Sequence, residues 1–114
     1  MGTKAPRKLF DDPTPEQIEQ FETANPDGIE TVVTEYGVFM VKGVQRPLWK
    51  QYVNMLAEPG KKGDALDYLA QLGRVYPDEA TFATVINRKP AIVSAFIGPI
   101  SELSGQSVAV AEKG

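Results

Sequence analysis

Two periods of apolar positions alternate along the chain, and each change of period marks a new element. Residues 1–12 are polar, contain Pro6 and show no periodicity beyond the Leu9-Phe10 pair, which predicts a flexible arm with one apolar docking point. Thr14-Pro15-Glu16-Gln17 then opens a helix. Thr14 can cap it, Pro15 suits its first turn, and Gln17 stands three residues after the cap, where a capping box needs it. Ile18, Phe21 and Ala24 form a narrow stripe among acids, and Asn25-Pro26-Asp27-Gly28 ends the helix. From Ile29 the pattern becomes β-branched and aromatic. Residues 29–34 and 38–42, joined by a loop containing Gly37, predict a β-hairpin. Its period of two is imperfect at Val32-Val33 and from Val38 to Val41, so both faces of the hairpin carry apolar contacts.

Helical spacing returns after Arg46-Pro47. Leu48, Tyr52, Met55 and Leu56 line one face of a helix over 48–57, and Trp49 and Val53 widen it. Glu58-Pro59-Gly60-Lys61-Lys62-Gly63 reads as a loop with two cations at its tip. Asp64 can cap a third helix on which Leu66, Leu69, Leu72 and Tyr76 share a face, with Gly73 a weak point and Pro77 the stop. Asp78 caps a fourth over 79–88, with Phe82, Val85 and Ile86 inward. Arg88 and Lys89 lie at its C-terminal end, where they complement the helix dipole. Pro90 begins a last helix. Ile92, Val93, Phe96, Ile97, Ile100 and Leu103 make the strongest helical stripe in the sequence, with a bend expected at Gly98-Pro99 and a cap at Gly105. Residues 106–114 carry no packing signal and read as a loose tail. The fold class is therefore α+β: an N-terminal helix and β-hairpin packed on a small bundle of about four helices, as one domain over 13–105.

Composition narrows the chemistry. The chain has 114 residues, and a single domain of that size can bury a core without metal or disulfide staples. With no Cys and no His, disulfides, thiolate nucleophiles, Ser-His-Asp triads and the common zinc sites are excluded. The apolar runs fall far short of the roughly 18 residues a membrane span needs, and the first residues lack a secretory pattern, so the sequence predicts a soluble, unprocessed protein.

Charge is informative by position. Residues 1–10 carry Lys4, Arg7 and Lys8 and no acid, whereas residues 11–35 hold eight acids and no Lys or Arg. Residues 36–62 swing back, with Lys42, Arg46, Lys50, Lys61 and Lys62 against Glu58 alone. Such segregation favours oriented association with a partner or with another copy. Nucleic acid is disfavoured, because the scattered cations give no continuous phosphate-binding stripe and the pI is near 4.9.

Carboxylate pairs are the remaining catalytic device, at Asp11-Asp12, Asp64/Asp67 and Asp78-Glu79. Asp64 and Asp78 stand where helix caps belong, and nothing apolar beside Asp11-Asp12 would raise a pKa, so none of them reads as catalytic. Pro59 to Asp64 lacks the spacing of a phosphate-binding loop, and no calcium-loop motif occurs. Neither a metal nor an organic cofactor is expected. Arg46, Trp49, Lys50, Tyr52, Val53 and Met55 instead combine aromatic, aliphatic and cationic side chains on one short helix, the composition of a protein-binding hot spot, while burial of Trp49 in the core is the competing reading. The stripe that holds Phe96 and Ile100 reads first as core, and the expected bend at Gly98-Pro99 makes these two residues candidate walls of a second contact groove.

The order of these pieces resembles a family of small phage proteins known as tail assembly chaperones. The resemblance runs over about residues 13–105: the Thr-Pro-Glu-Gln helix, a hairpin ending in Arg46-Pro47, the Trp49/Tyr52 helix, a Gly/Lys loop, Arg74-Val75-Tyr76-Pro77, the helix from Phe82 to Pro90, and Ile100-Ser101-Glu102-Leu103-Ser104-Gly105. It implies a non-enzymatic assembly factor of the host cell cytoplasm that binds the phage tape-measure protein and helps recruit tail-tube protein, with self-association compatible with the role. The alternative is a phage virion structural protein, such as a head-tail connector or decoration subunit.

Overall fold

The computed structural model describes residues 8–105, so the expected tail at 106–114 lies outside the described residues. Five α-helices and a three-stranded antiparallel sheet make an α+β fold. Helix α1 spans Pro15–Ala24, and its capping box is complete: the Gln17 amide donates to Thr14 Oγ1 at 3.1 Å, and the Thr14 amide donates to Gln17 Oε1 at 2.9 Å. It buries no residue fully; Ile18 and Phe21 are half-buried and Ala24 is exposed. Strands β1 (Ile29–Thr34) and β2 (Gly37–Lys42) form the expected hairpin in unbroken register, from Ile29 opposite Lys42 to Thr34 opposite Gly37. Thr34 Oγ1 closes its turn, accepting from the Tyr36 amide and donating to the Gly37 carbonyl.

The hairpin gains a third strand. Arg74–Tyr76, expected as the end of the third helix, is strand β3, which pairs antiparallel with β2 across an irregularity at Met40/Val41. Three residues carry too little pattern to announce a strand, and the free edge of β2 decides their conformation. Pro77 reinforces it by disfavouring helical backbone at Tyr76. Tyr76 therefore leaves the helical face shared by Leu66, Leu69 and Leu72.

Helix α2 spans Arg46–Ala57 and packs on α3, Lys62–Gly73. Lys61, not Asp64, occupies the N-cap of α3. Asp64 lies inside the first turn, where its carboxylate complements the helix dipole without capping. Helix α4 (Glu79–Arg88) follows Asp78 as expected. A 3-10 turn, Pro90–Val93, leads into α5, Ser94–Leu103, which continues as helix through Pro99. The change of helical type falls at Val93/Ser94, five residues before the expected bend.

The core lies between the sheet and helices α3 to α5. Phe39, Phe82 and Phe96 form its centre, with ring centroids 4.6 Å apart for Phe39–Phe96, 5.5 Å for Phe82–Phe96 and 5.9 Å for Phe39–Phe82. Val41, Ala65, Leu69, Val85, Val93 and Ile100 pack around these rings. Met40 is equally buried but points to the opposite face of β2, in register with Tyr76, which is why the hairpin pattern departs from strict alternation.

Part of the expected flexible arm is held against this body. The Leu9 amide donates to the Tyr36 carbonyl at 2.8 Å, and Phe10 stands edge-on to Phe39 at 5.0 Å. Phe10 lies across Gly37, whose φ of +148° and missing Cβ leave room for the ring.

Candidate functional site

Helix α2 is fixed from below and left open on one flank. Tyr52 is buried in the core, and this burial pushes its hydroxyl pKa up. At the N-terminal end, Ser104 Oγ accepts from the Val44 amide at 2.9 Å and donates to the Ile100 carbonyl at 2.7 Å. That clasp ties the loop entering α2 to the end of α5. Close by, the Gly43 backbone approaches Leu103 so tightly that a Cβ would meet the Leu103 carbonyl carbon at 2.6 Å.

The flank of α2 that runs from beside Tyr52 round to solvent combines charge and apolar surface. Arg46 and Lys50 are exposed and one turn apart; Trp49 is half-buried and one turn from Val53. Val53 is 44% exposed, and Leu56, three residues further, is 37% exposed. The Trp49 ring leans on Tyr52, centroid to centroid 5.2 Å, so its inner face is supported while its outer part meets solvent. No acid occurs within Arg46–Ala57. The result is a rigid aromatic-aliphatic patch edged by two cations.

Of the eight residues singled out from the sequence, Arg46, Trp49, Lys50 and Val53 come together on this patch. Met55 is half-buried and turned toward the other side of α2, and Tyr52 supports the patch from inside. Phe96 and Ile100 are completely buried and offer no surface to a partner, because the stripe on α5 faces the sheet. A groove does run beside the last helix, but different residues line it. Leu48, Leu72 and Leu103, with Lys42 and Gly28, border a cleft of about 450 Å³. Leu48, 41% exposed, and Leu56, 37% exposed, share the apolar stripe of buried Tyr52 yet stay open. They stand one turn to either side of Tyr52 on α2, and the breadth of the apolar arc on so short a helix was the available signal.

A second cleft, about 670 Å³, lies between residues 9–11, α1, β3 and the start of α4, with Phe10, Phe21, Arg74, Tyr76 and Asp78 on its walls. Arg74 Nη1 donates to the Pro77 carbonyl at 3.2 Å. Asp78 closes no side-chain cap bond, yet its carboxyl is held below the usual range, chiefly by the Thr81 side chain, with smaller help from the Thr81 backbone and the Arg74 charge. Burial pushes the Tyr76 hydroxyl pKa up, and the carboxylates of Asp11, Asp12 and Asp78 add to the shift.

Asp11, Asp12, Asp64, Asp67, Asp78 and Glu79 are all exposed. A carboxyl that stays ionised at neutral pH, as Asp78 does, is a poor proton donor. Among the described residues, no group of three or more His, Cys, Asp or Glu could hold a metal ion. No helix among them is long and apolar enough to cross a membrane. Comparison with family models, with curated proteins and with solved structures finds no match for this chain.

Proposed function

We propose that this protein is a non-enzymatic phage tail assembly chaperone that binds the tape-measure protein through α2 and assists tail-tube assembly in the host cell cytoplasm. The observation that carries the reading is the α2 flank itself: exposed Val53 and Leu56 beside half-buried Trp49, on a helix whose position is fixed by Tyr52 and by the Ser104 clasp. An assembly factor for a long, partly apolar helical chain must present hydrophobic surface that does not collapse into its own core, with enough charge around it to limit self-aggregation. Arg46 and Lys50 supply that charge and favour a partner segment bearing acids beside its apolar face. The resemblance in element order over about residues 13–105 supplies the biological setting.

Co-expression with the tape-measure protein encoded in the same gene cluster tests the reading. The expected result is that the long protein becomes soluble and co-purifies with several copies of this one. If it stays insoluble and this protein instead occurs in finished particles at fixed stoichiometry, the virion structural reading replaces it.

A further inference from the structure

The geometry points to a second interaction surface, independent of α2: the free edge of β1 pairs antiparallel with the β1 edge of a second copy, about a twofold axis at Thr31. The sheet order is β1-β2-β3, so among the described residues no strand lies beside β1 on its outer side. Soluble proteins blunt such edges with Pro, Lys, bulges or very short strands. Strand β1 has none of these and a single charge, Glu30 on the core-side face: Ile-Glu-Thr-Val-Val-Thr runs six residues in unbroken register with β2, and the irregularity in the sheet lies on the far side, between β2 and β3.

Self-complementarity fixes the register. Ile29, Thr31 and Val33 pair with Lys42, Met40 and Val38, so they share the face of the sheet opposite the phenylalanine core. Val33 on that face is 75% exposed, the most exposed large apolar side chain described. Pairing two copies about Thr31 sets Ile29 of each opposite Val33 of the other, and Thr31 opposite Thr31. It also sets Glu30 opposite Val32, so no acid directly faces an acid. Apolar β-branched pairs and Thr–Thr pairs are the combinations that stabilise adjacent strands. A closed twofold dimer uses both open edges and leaves no further β1 edge for growth. Its sheet has six strands.

The absence of cysteine makes the test direct. Thr31 is exposed, so Thr31→Cys leaves the core untouched and places one thiol on the proposed axis. Thr23→Cys, exposed on α1, is the control. The expected result is that the wild type sediments as a dimer at about 100 µM, in the range of a weak strand-edge contact. Val33→Lys should sediment as a monomer while keeping the wild-type circular dichroism. Pairing also raises the local thiol concentration, so Thr31→Cys should cross-link about tenfold faster or more than the control. A wild type that is monomeric at that concentration overturns the proposal, whether the edge is covered by residues outside 8–105 or by a different protein. So does a dimer in which the two cysteine variants cross-link at equal rates.

Discussion

The Tyr76 hydroxyl donates a hydrogen bond of 2.6 Å to the main-chain oxygen of Asp11, across 65 residues of sequence. This bond joins β3, which the sequence hid, to residues expected to be free. The Phe10 and Phe21 rings each lie 6.0 Å from the Tyr76 ring, so one side chain holds both the arm and α1 to the sheet. Tyr76→Phe removes the donor and keeps the rings. It should cost about 1 kcal/mol, the net worth of one such bond, with faster amide exchange at Leu9 as the local readout.

The same hydroxyl gives a pH dependence. Its pKa is raised in the folded chain, first by burial and then by Asp11, Asp12 and Asp78, so folding favours the protonated form. The contribution is complete below the unfolded tyrosine pKa of about 10 and is lost as pH rises through the higher folded value. Alkaline titration followed by tyrosinate absorbance and by proteolysis near Leu9 should show arm release accompanying ionisation. In Tyr76→Phe the arm should show no corresponding alkaline step.

Gly73 looked like a weak point in α3 and is instead a contact. A Cβ there would lie 2.5 Å from Ile100 Cδ1 and 2.9 Å from the Lys42 carbonyl oxygen. Gly73→Ala improves helix propensity, yet the collision decides the sign, since overpacking costs about 1–3 kcal/mol. Urea denaturation should show a lower midpoint; an unchanged or higher one would mean that Ile100 moves aside freely.

Phe96 and Trp49 should separate stability from binding. Phe96→Ala empties the centre of the aromatic core and should cost about 3–5 kcal/mol. Trp49 is half-buried, so Trp49→Ala should cost less than Phe96→Ala in stability and about 2 kcal/mol or more in partner affinity. Equal losses of stability in the two variants would assign Trp49 to the core.

Local chemistry made much of this fold legible. The Thr14–Gln17 capping box, the hairpin, the start of α4 at Glu79 and the positive φ of Gly105 depend on residues close in sequence, and each stands where the pattern put it. Strand β3 depends on a partner some 35 residues away and has no period of its own. The N-cap of α3 is Lys61 and not Asp64, because an Asp is equally at home within the first turn of a helix. The α2 patch was half legible: spacing placed Arg46, Trp49, Lys50 and Val53 on adjoining positions, but only packing could show that Tyr52, Phe96 and Ile100 turn inward while Leu48 and Leu56 stay open.

The most direct test of the central claim is the affinity of the purified protein for the tape-measure protein, compared with that of the double variant Lys50→Glu/Val53→Asp. Both positions are exposed, so the variant should unfold at the wild-type urea midpoint and lose binding by about a hundredfold or more, as expected when a hot spot is disrupted. Undiminished affinity in a folded double variant would contradict the assignment of α2 as the binding surface.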